Sequence, residues 1–260
     1  MSEVVYCDQE LAVAQEIAHK AGAIMLQYFD DDQQTEVKND GSPVTIADKK
    51  INSLVIKELV DVFPADGIIG EEESTAEYGD GRKWFCDPID GTIGYIWGTP
   101  TSMFSLGLVV DGVPQMGVVY DPYLNRMYTA KKDAGSYCDG KKLSVSNLSL
   151  EDGTVAITGD VRRISQGLSY AKTLAETDAH IATFSGAIYK ATLVARGKFV
   201  GYIEHGVNAH DMAAVHLIVE EAGGKVTGVS GNTLDYKQPF KGAVVSNGVT
   251  HEELVRIAQS

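Results

Sequence analysis

The stretch 87–92, with the sequence Asp-Pro-Ile-Asp-Gly-Thr, constrains this chain more than any other feature. It follows the apolar run 84–86, which is typical of the end of a buried strand. Pro88 fixes its own φ and has no backbone N–H, so the segment between the two aspartates is stiff. Gly91 permits a sharp turn. A helix that begins at Gly91 or Thr92 would direct its free N–H groups to the place where the carboxylates point.

Carboxylates and free N–H groups at one place indicate a particular chemistry. Carboxylates repel a phosphate and N–H groups attract one, so both can serve the same phosphate ester only if divalent cations lie between them. The stretch therefore favours the active site of a metal-dependent phosphatase. A strand followed by an ordinary Asp-Gly turn explains these residues equally well when they are taken alone. The rest of the chain has to distinguish the two interpretations.

Composition limits the class of protein and its partners. The chain has 260 residues, 44% of them hydrophobic and 22% charged, which is typical of a soluble globular protein. A net charge of -14 repels nucleic acid and anionic membranes, so we expect neither as a partner. The three cysteines form no Cys-x-x-Cys pair. The N-terminus lacks a signal-peptide pattern, and no run approaches the roughly 18 apolar residues of a membrane span. We therefore expect a cytoplasmic protein with reduced thiols.

Helical spacing and hairpin turns organise the first half of the chain. Asp48 stands three residues after Thr45, where it can complete a capping box at the start of a helix. Asp111 and Asp139 each precede a glycine, which is typical of a two-residue hairpin turn, and so an antiparallel sheet is expected around them. The expected helices are 8–29 and 45–63, and the expected strands are 68–70, 83–86, 101–110, 113–120, 127–130 and 136–145.

The second half alternates strands with helices, as a further layer of α/β structure. The expected helices are 165–175, 185–197, 210–222 and 249–258, and the expected strands are 154–158, 181–184, 198–204, 226–227 and 242–246. No low-complexity linker or internal repeat separates the halves. We therefore expect a single catalytic domain over 1–260, made of two fused layers at roughly 1–150 and 151–260.

Three motifs resemble one known family. They are Gly-Glu-Glu at 70–72, the stretch 87–92, and Asp211 ahead of Glu-Glu-Ala-Gly-Gly at 220–224. In this order and spacing, which extends over nearly the whole chain, they are similar to the inositol monophosphatase family. The resemblance implies an α/β fold of the layered αβαβα sandwich type, shared with fructose-1,6-bisphosphatase. It also implies a homodimer that hydrolyses phosphate monoesters with two to three Mg²⁺ ions per active site and is inhibited by Li⁺.

The resemblance also implies a metal-binding set. Matched by position, Glu71, Asp87, Asp90 and Asp211 would be the metal-binding carboxylates, and the carbonyl of Ile89 a further ligand. So many converging carboxylates could not all stay ionised unaided, because each charged neighbour raises the pKa of the next. Mg²⁺ would remove that cost, since it prefers oxygen ligands. No covalent phosphoenzyme is then needed.

Other matched positions would act on water and phosphate. Asp48 matches the residue near a weaker third metal, and Lys38 matches the lysine of the mobile metal loop. Gly91 and Thr92 would present N–H groups to the phosphate. Thr92 together with Glu71 would polarise the attacking water.

The substrate side is where the chain departs from the family. Ala187 and Asp211 match substrate-binding positions, and Glu204 matches the acidic residue that contacts inositol hydroxyls. His210 replaces the family's tryptophan, and we expect its ring to pack. These departures do not affect the metal-binding residues, but the identity of the leaving group is not determined by the matched positions. Inositol monophosphate leads because of Glu204, and histidinol phosphate, fructose 1,6-bisphosphate and 3′-phosphoadenosine nucleotides remain as alternatives.

Two rival classes can be weighed from the residues. A haloacid-dehalogenase-type phosphatase would need its nucleophilic aspartate at position 88, where this chain has Pro88. That rival therefore fails. A non-catalytic metal- or sugar-phosphate-binding protein would need no water-activating pair, yet Glu71 and Thr92 are both present. Phosphate release with Mg²⁺ and its loss with EDTA would distinguish an enzyme from such a binding protein.

Overall fold

Five layers of helices and sheets build the protein, which is described by a computed structural model over residues 7–30, 33–39, 41–158 and 169–260. The outer helices α1 (Asp8–Tyr28) and α2 (Ile46–Val62) cover one face of a seven-stranded sheet. At the start of α2, the Asp48 carboxylate accepts hydrogen bonds from the Thr45 N–H at 2.8 Å and the Thr45 hydroxyl at 2.6 Å. The predicted capping box is thus confirmed.

The seven-stranded sheet is mostly antiparallel. Its order is β3-β4-β5-β6-β7-β8-β9, and only β3 and β4 run parallel. Asp111 and Asp139 have φ values of 49°, each followed by a glycine with positive φ, so both predicted hairpin turns are confirmed. The strands are β3 (Gly67–Gly70), β4 (Arg82–Asp90), β5 (Met103–Val110), β6 (Val113–Asp121), β7 (Arg126–Lys131), β8 (Gly135–Cys138) and β9 (Lys141–Lys142), and β1 (Glu36–Val37) pairs separately with β2 (Pro43–Val44).

Strand β4 is longer than the sequence predicts. It was expected to end at residue 86, but it continues through Asp90. Asp87 pairs with Ser105 and Asp90 pairs with Met103, with a register shift between them. Pro88 has no N–H for a ladder hydrogen bond, so the strand can pass this point only as an irregularity. Both aspartates are therefore fixed by the sheet and do not lie on a free loop.

The middle layer places two helices between the sheets, namely α5 (Ala187–Ala195) and α6 (Ala209–Glu221). Helix α6 approaches the first sheet closely at Gly117, where an added Cβ would lie 2.5 Å from the Ala214 carbonyl oxygen. This close contact brings the beginning of α6 to the end of β4. The short helix α3 (Thr92–Ile96) follows β4 directly, as the sequence predicts.

The second sheet and its outer helices complete the sandwich. The sheet has the order β11-β10-β12-β14-β13. Its strands are β10 (Thr154–Ile157), β11 (His180–Thr183), β12 (Gly201–Glu204), β13 (Lys225–Thr227) and β14 (Ala243–Ser246), and it is covered by α4 (Ser169–Ala175) and α7 (His251–Ala258). Residues 165–168 of the helix predicted at 165–175 lie outside the described residues. The predicted αβαβα architecture is confirmed.

Two expectations about chemistry and membranes can be compared with the fold. Cys7, Cys86 and Cys138 are free thiols, and Cys7 and Cys86 are buried. Within the described ranges, no helix has the length and apolarity that crossing a membrane requires.

Candidate active site

Three carboxylates from two distant parts of the sequence meet at the end of β4. Asp87, Asp90 and Asp211 each offer an oxygen that lies within 4.8 Å of the others. Asp87 and Asp90 are only 1% and 5% exposed. Asp211 comes from the first turn of α6, which the close packing of that helix on the first sheet brings to this position. Within the described residues this group consists of three aspartates, all of which the sequence analysis names as metal ligands.

Backbone N–H groups orient each carboxylate. Asp90 accepts hydrogen bonds from the N–H groups of Ala187 at 3.0 Å and Ile188 at 2.8 Å, at the start of α5. Asp87 accepts one from the N–H of Ile89 at 3.0 Å. Asp211 accepts one from the N–H of Asn208 in a capping box. These donors fix the directions of the oxygens, yet they bring no full positive charge to the cluster.

The cluster is costly to keep ionised. Burial, followed by the charges of Glu71, Asp211 and Asp90, raises the pKa of Asp87 well above its usual range. Burial and the charge of Asp211 raise the pKa of Asp90 to about 7, although the two N–H groups of α5 oppose that rise. Burial also raises the pKa of Asp211. A divalent cation would remove this repulsion, and an all-oxygen donor set suits a hard cation.

Glu71 lies next to this cluster, and its partner is a lysine. It follows β3, and its N–H donates to the carbonyl of Cys86 at 3.0 Å. The Lys38 ammonium lies 2.9 Å from a Glu71 oxygen and 2.6 Å from a Glu72 oxygen. Burial opposes the charge on Lys38, but Glu71 and Glu72 outweigh it and raise the pKa of this lysine. Neither of these ion pairs is predicted from the sequence, from which Glu72 has no expected role.

The two carboxylate oxygens of Asp48 differ in their hydrogen bonding. One oxygen makes the capping box with Thr45. The other, Oδ1, is buried and has no hydrogen-bond partner within the described residues. Burial raises the pKa of Asp48 to about 7, the Thr45 hydrogen bonds oppose this rise, and the charges of Glu71 and Glu72 add to it. A buried carboxylate oxygen without a partner is costly, and a cation next to Glu71 would satisfy it.

The turn after β4 is held against the segment before α5. Gly91 has a φ of +83°, and an added Cβ would lie 2.9 Å from the backbone of Gly186. The Ser185 hydroxyl accepts a hydrogen bond from the Gly94 N–H at 3.2 Å and donates one to the Gly91 carbonyl at 3.4 Å. The Thr92 hydroxyl donates to the carbonyl of Ile89 at 3.1 Å. The turn at Gly91 is therefore sharp, as the sequence predicts, and its backbone packs closely on that of Gly186.

Two predicted substrate-side positions are engaged within the protein. The N–H of Ala187 donates to Asp90, so this backbone group serves the carboxylate cluster. His210 Nε2 lies 3.8 Å from Asp211 Oδ1, and the histidine side chain is 15% exposed. Burial raises the pKa of Glu72, the hydrogen bond with Lys38 opposes that rise, and a protonated His210 opposes it further. The ring therefore lies among the carboxylates, and not simply in the packing that the sequence analysis expected.

Glu204, at the end of β12, forms a buried ion pair that the sequence analysis missed. Its carboxylate lies 3.6 Å from the Lys190 ammonium. Both side chains are buried. A lysine within the apolar run of α5 is the signal that could have identified it, because a buried lysine nearly always has a charged partner.

Comparisons with known proteins identify the family of the chain. The model of the inositol monophosphatase family matches residues 7–260. A histidinol-phosphatase of Chlorobaculum parvum is 35% identical over 217 residues, which cover 83% of this chain and 84% of that one. Inositol monophosphatase 1 of Xenopus laevis is 34% identical over 243 residues, covering 88% and 85%. The solved structure of an IMPase of Thermotoga maritima superposes with a TM-score of 0.87 at 29% identity, covering 96% and 97%. The chain thus belongs to the inositol monophosphatase family.

Proposed function

We propose that the protein is a Mg²⁺-dependent phosphate monoester hydrolase. The observation that carries the proposal is the group of three buried carboxylates within 4.8 Å of one another, next to the turn at Gly91 and the start of α3. Buried carboxylates at this separation can all be ionised when a cation lies among them, and a helix start next to a cation suits a phosphate. Membership of a phosphatase family supports the same conclusion.

The donor set fits Mg²⁺. Asp87, Asp90, Asp211 and Glu71 would hold the ions with the Ile89 carbonyl, and the unpartnered oxygen of Asp48 would face a weaker additional site. When bound, Mg²⁺ supplies positive charge that lowers the pKa of water and stabilises the oxygens of an in-line displacement. Glu71 must share or release its contact with Lys38 to take part.

The protein's own groups would arrange the other reactants. The N–H groups of Gly91 and Thr92 would bind phosphate oxygens, as helix starts do. The hydroxyl of Thr92 and the carboxylate of Glu71 would orient the attacking water, and Glu71 would accept its proton. The oxygen of this water forms a bond to phosphorus, the bond from phosphorus to the ester oxygen breaks, and the departing alcohol takes up a proton. Water is the only nucleophile, so no phosphoenzyme forms.

The leaving group is a separate proposal. The relative in Chlorobaculum parvum is named for histidinol phosphate, whereas that in Xenopus laevis is named for inositol monophosphate. We favour an inositol 1-phosphate-like substrate, because Glu204 matches the residue that contacts inositol hydroxyls in the family. Histidinol phosphate, fructose 1,6-bisphosphate and 3′-phosphoadenosine nucleotides are the alternatives. The phosphate end cannot distinguish these esters, since metals and backbone N–H groups would bind it in all of them.

One panel tests both proposals. Phosphate release would be measured for the four esters with Mg²⁺, with added EDTA and with added Li⁺. We expect release with Mg²⁺, its loss with EDTA, inhibition by Li⁺, and a preference for inositol 1-phosphate of about tenfold, equivalent to about 1.4 kcal/mol. Binding without turnover of any ester would instead favour a non-catalytic metal- or sugar-phosphate-binding protein.

Family membership supports the remaining proposals. We propose that 1–260 acts as a single catalytic domain, that the protein is a cytoplasmic homodimer, and that its partner is a small phosphorylated metabolite and neither nucleic acid nor a membrane. Light scattering coupled to size-exclusion chromatography would measure the mass directly. A monomeric mass at working concentration would contradict the homodimer.

A further inference from the structure

A buried ion pair adjoins the carboxylate cluster on the side of the second sheet. Lys190 lies in α5 and Glu204 at the end of β12, and they are 3% and 5% exposed. The Lys190 ammonium lies 3.6 Å from the Glu204 carboxylate, 3.4 Å from the Ile157 carbonyl oxygen and 4.8 Å from the centroid of the Tyr202 ring. Carbonyl, carboxylate and aromatic face all favour a charged ammonium at this position.

The pair lies close enough to the cluster to share its electrostatics. Helix α5 carries Lys190 and also supplies the N–H groups that orient Asp90. The charge of Lys190 lowers the pKa of Asp90, against the stronger effect of burial. Tyr202, whose ring the Lys190 ammonium faces, is affected by both groups of charges: burial raises the pKa of its phenol, and the charges of Glu204, Asp90 and Asp211 raise it further.

The lysine changes what Glu204 can recognise. A buried carboxylate alone attracts a cationic group, such as an ammonium or imidazolium, more strongly than a neutral hydroxyl. Paired with Lys190, the carboxylate can still accept a hydrogen bond, but the ammonium offsets its negative charge. For a cationic leaving group, the attraction to Glu204 and the repulsion from Lys190 would then contribute opposite binding free energies of roughly equal size. A hydroxyl would keep its hydrogen bond to Glu204.

We propose that Lys190 is a specificity-determining residue, which cancels the charge of Glu204 and so selects neutral, hydroxyl-bearing leaving groups over cationic ones. This inference rests on the proposed function, since it assigns the recognition of the leaving group to the same site. It identifies the substrate class as phosphate esters of polyols and disfavours esters of amino alcohols.

Four variants isolate the charge at this position. Lys190→Met removes the cation, Glu204→Gln removes the anion, the double variant removes both, and Lys190→Arg keeps the cation. For each, kcat/KM would be measured with histidinol phosphate and with myo-inositol 1-phosphate in the presence of Mg²⁺. The quantity compared is the ratio of kcat/KM for the cationic ester to that for the neutral ester, in which a general loss of folded or active enzyme cancels.

The two single variants should move the ratio in opposite directions. We expect Lys190→Met to raise the ratio about tenfold and Glu204→Gln to lower it. The reason is that adding or removing one partly screened charge changes the binding of a cationic group by about tenfold. Both changes should arise mainly in KM. The double variant and Lys190→Arg should stay near the wild-type ratio. If Lys190→Met does not fold, the role of Lys190 is tested by the other two variants. The ratio should fall in Glu204→Gln and return to the wild-type value in the double variant.

The outcomes separate this inference from the function on which it rests. A wild-type protein that releases phosphate from these esters, together with folded single variants whose ratio is unchanged, overturns the role of Lys190 and leaves the proposed function standing. A ratio that moves in the same direction in both single variants also overturns it, because only opposite charges predict opposite signs. A wild-type protein that binds Mg²⁺ yet releases phosphate from none of the four esters overturns the proposed function, and this inference with it. Release from only fructose 1,6-bisphosphate or the 3′-phosphoadenosine nucleotide overturns this inference alone.

Discussion

The ammonium of Lys38 lies 2.9 Å from one oxygen of Glu71 and so presents a positive charge to a carboxylate that we propose as a metal ligand. The lysine also lies 2.6 Å from Glu72. Its side chain is 20% exposed, so the pair is only partly shielded from solvent. A cation that arrives at Glu71 must therefore compete with, or be arranged around, a charge that the chain itself supplies.

Removal of that charge should strengthen metal binding. We expect Lys38→Met to bind Mg²⁺ roughly twofold to fivefold more tightly than the wild type, since a partly exposed ion pair is worth up to about 1 kcal/mol. Titration calorimetry would measure the affinity. Lys49→Met is the matched control, because Lys49 pairs with Glu36 at an exposed position. Equal or weaker Mg²⁺ binding by Lys38→Met would show that the lysine does not compete with the cation.

Asp90→Asn tests whether the cluster is a metal site. The amide keeps the shape of the side chain and one acceptor for the N–H groups of α5, but it removes a ligand charge. We expect turnover to fall by about a hundredfold or more, as it does when a preorganised electrostatic group is lost. We also expect Mg²⁺ to raise the Tm of the wild type and to raise that of the variant much less.

The stability of Asp90→Asn shows whether a loss of turnover comes from the chemistry or from unfolding. Without metal, the variant should be at least as stable as the wild type near neutral pH, because it loses the cost of a buried charge and the repulsion from Asp211, which together raise the pKa of Asp90. Asp152→Asn, at an exposed turn where Asp152 accepts from the Ser149 hydroxyl, is the control for the isosteric change. Full turnover in Asp90→Asn would contradict the assigned metal site.

Local patterns predicted much of the fold, whereas family resemblance indicated the set of aspartates. The capping box at Thr45 and the Asp-Gly hairpins depend on side chains a few residues apart, so the sequence displays them directly. Asp87 and Asp90 lie in one strand within a single motif. The meeting of these two with Asp211 depends on tertiary packing, and family resemblance, not periodicity, indicated it.

Contacts between distant residues could not be predicted in this way. The pair of Lys190 and Glu204 joins a helix to a strand, and the pair of Lys38 and Glu72 joins a loop to the end of β3. Neither spacing has a periodic signature, because the partners meet only after the layers pack. The extra length of β4 was missed for a related reason: its last residues pair with β5 in spite of Pro88.

The pH dependence of stability should reverse when metal is added. The pKa values of Asp48 and Asp90 are raised to about 7 in the folded protein, from about 4 in the unfolded chain. Groups raised in this way stabilise the fold fully below the unfolded pKa, and that contribution is lost as pH rises through about 7. With EDTA, we therefore expect these two carboxylates to make the protein less stable at pH 8 than at pH 6. With saturating Mg²⁺, which binds the ionised forms, the protein should be more stable at pH 8 than at pH 6.

Thermal unfolding at both pH values, with Asp90→Asn as a comparison, would measure this reversal. The same change of stability with pH in the presence and absence of Mg²⁺ would contradict it.

His251 should contribute acid sensitivity of the opposite sign. The ring is buried, with Nδ1 2.8 Å from the Ser246 hydroxyl and Nε2 3.0 Å from the Thr227 hydroxyl. Burial, with the charge of Lys225, lowers its pKa from 6.5 to about 4. The unfolded chain therefore takes up a proton before the folded protein does, and stability is lost as pH falls from about 6.5 to 4. His251→Gln should be less stable at neutral pH, but its stability should change less between pH 6.5 and pH 4 than that of the wild type. A variant whose stability falls as steeply as that of the wild type would show that other groups cause the acid sensitivity.

Gly91→Ala tests the turn on which phosphate binding depends. Gly91 has a left-handed φ of +83°, and a new Cβ would lie 2.9 Å from the backbone of Gly186, which cannot yield as a flexible side chain could. Gly98 is the matched control, because it has a similar φ of +70° and nothing within 4 Å of an added Cβ. Gly98→Ala should cost about 1 kcal/mol of unfolding free energy for the backbone conformation alone. Gly91→Ala should cost clearly more and should lose most of its turnover, because separating Gly91 from Gly186 displaces the start of α3 and the N–H donors to Asp90 together. Equal stability and equal turnover in the two variants would mean that this close approach does not position the site.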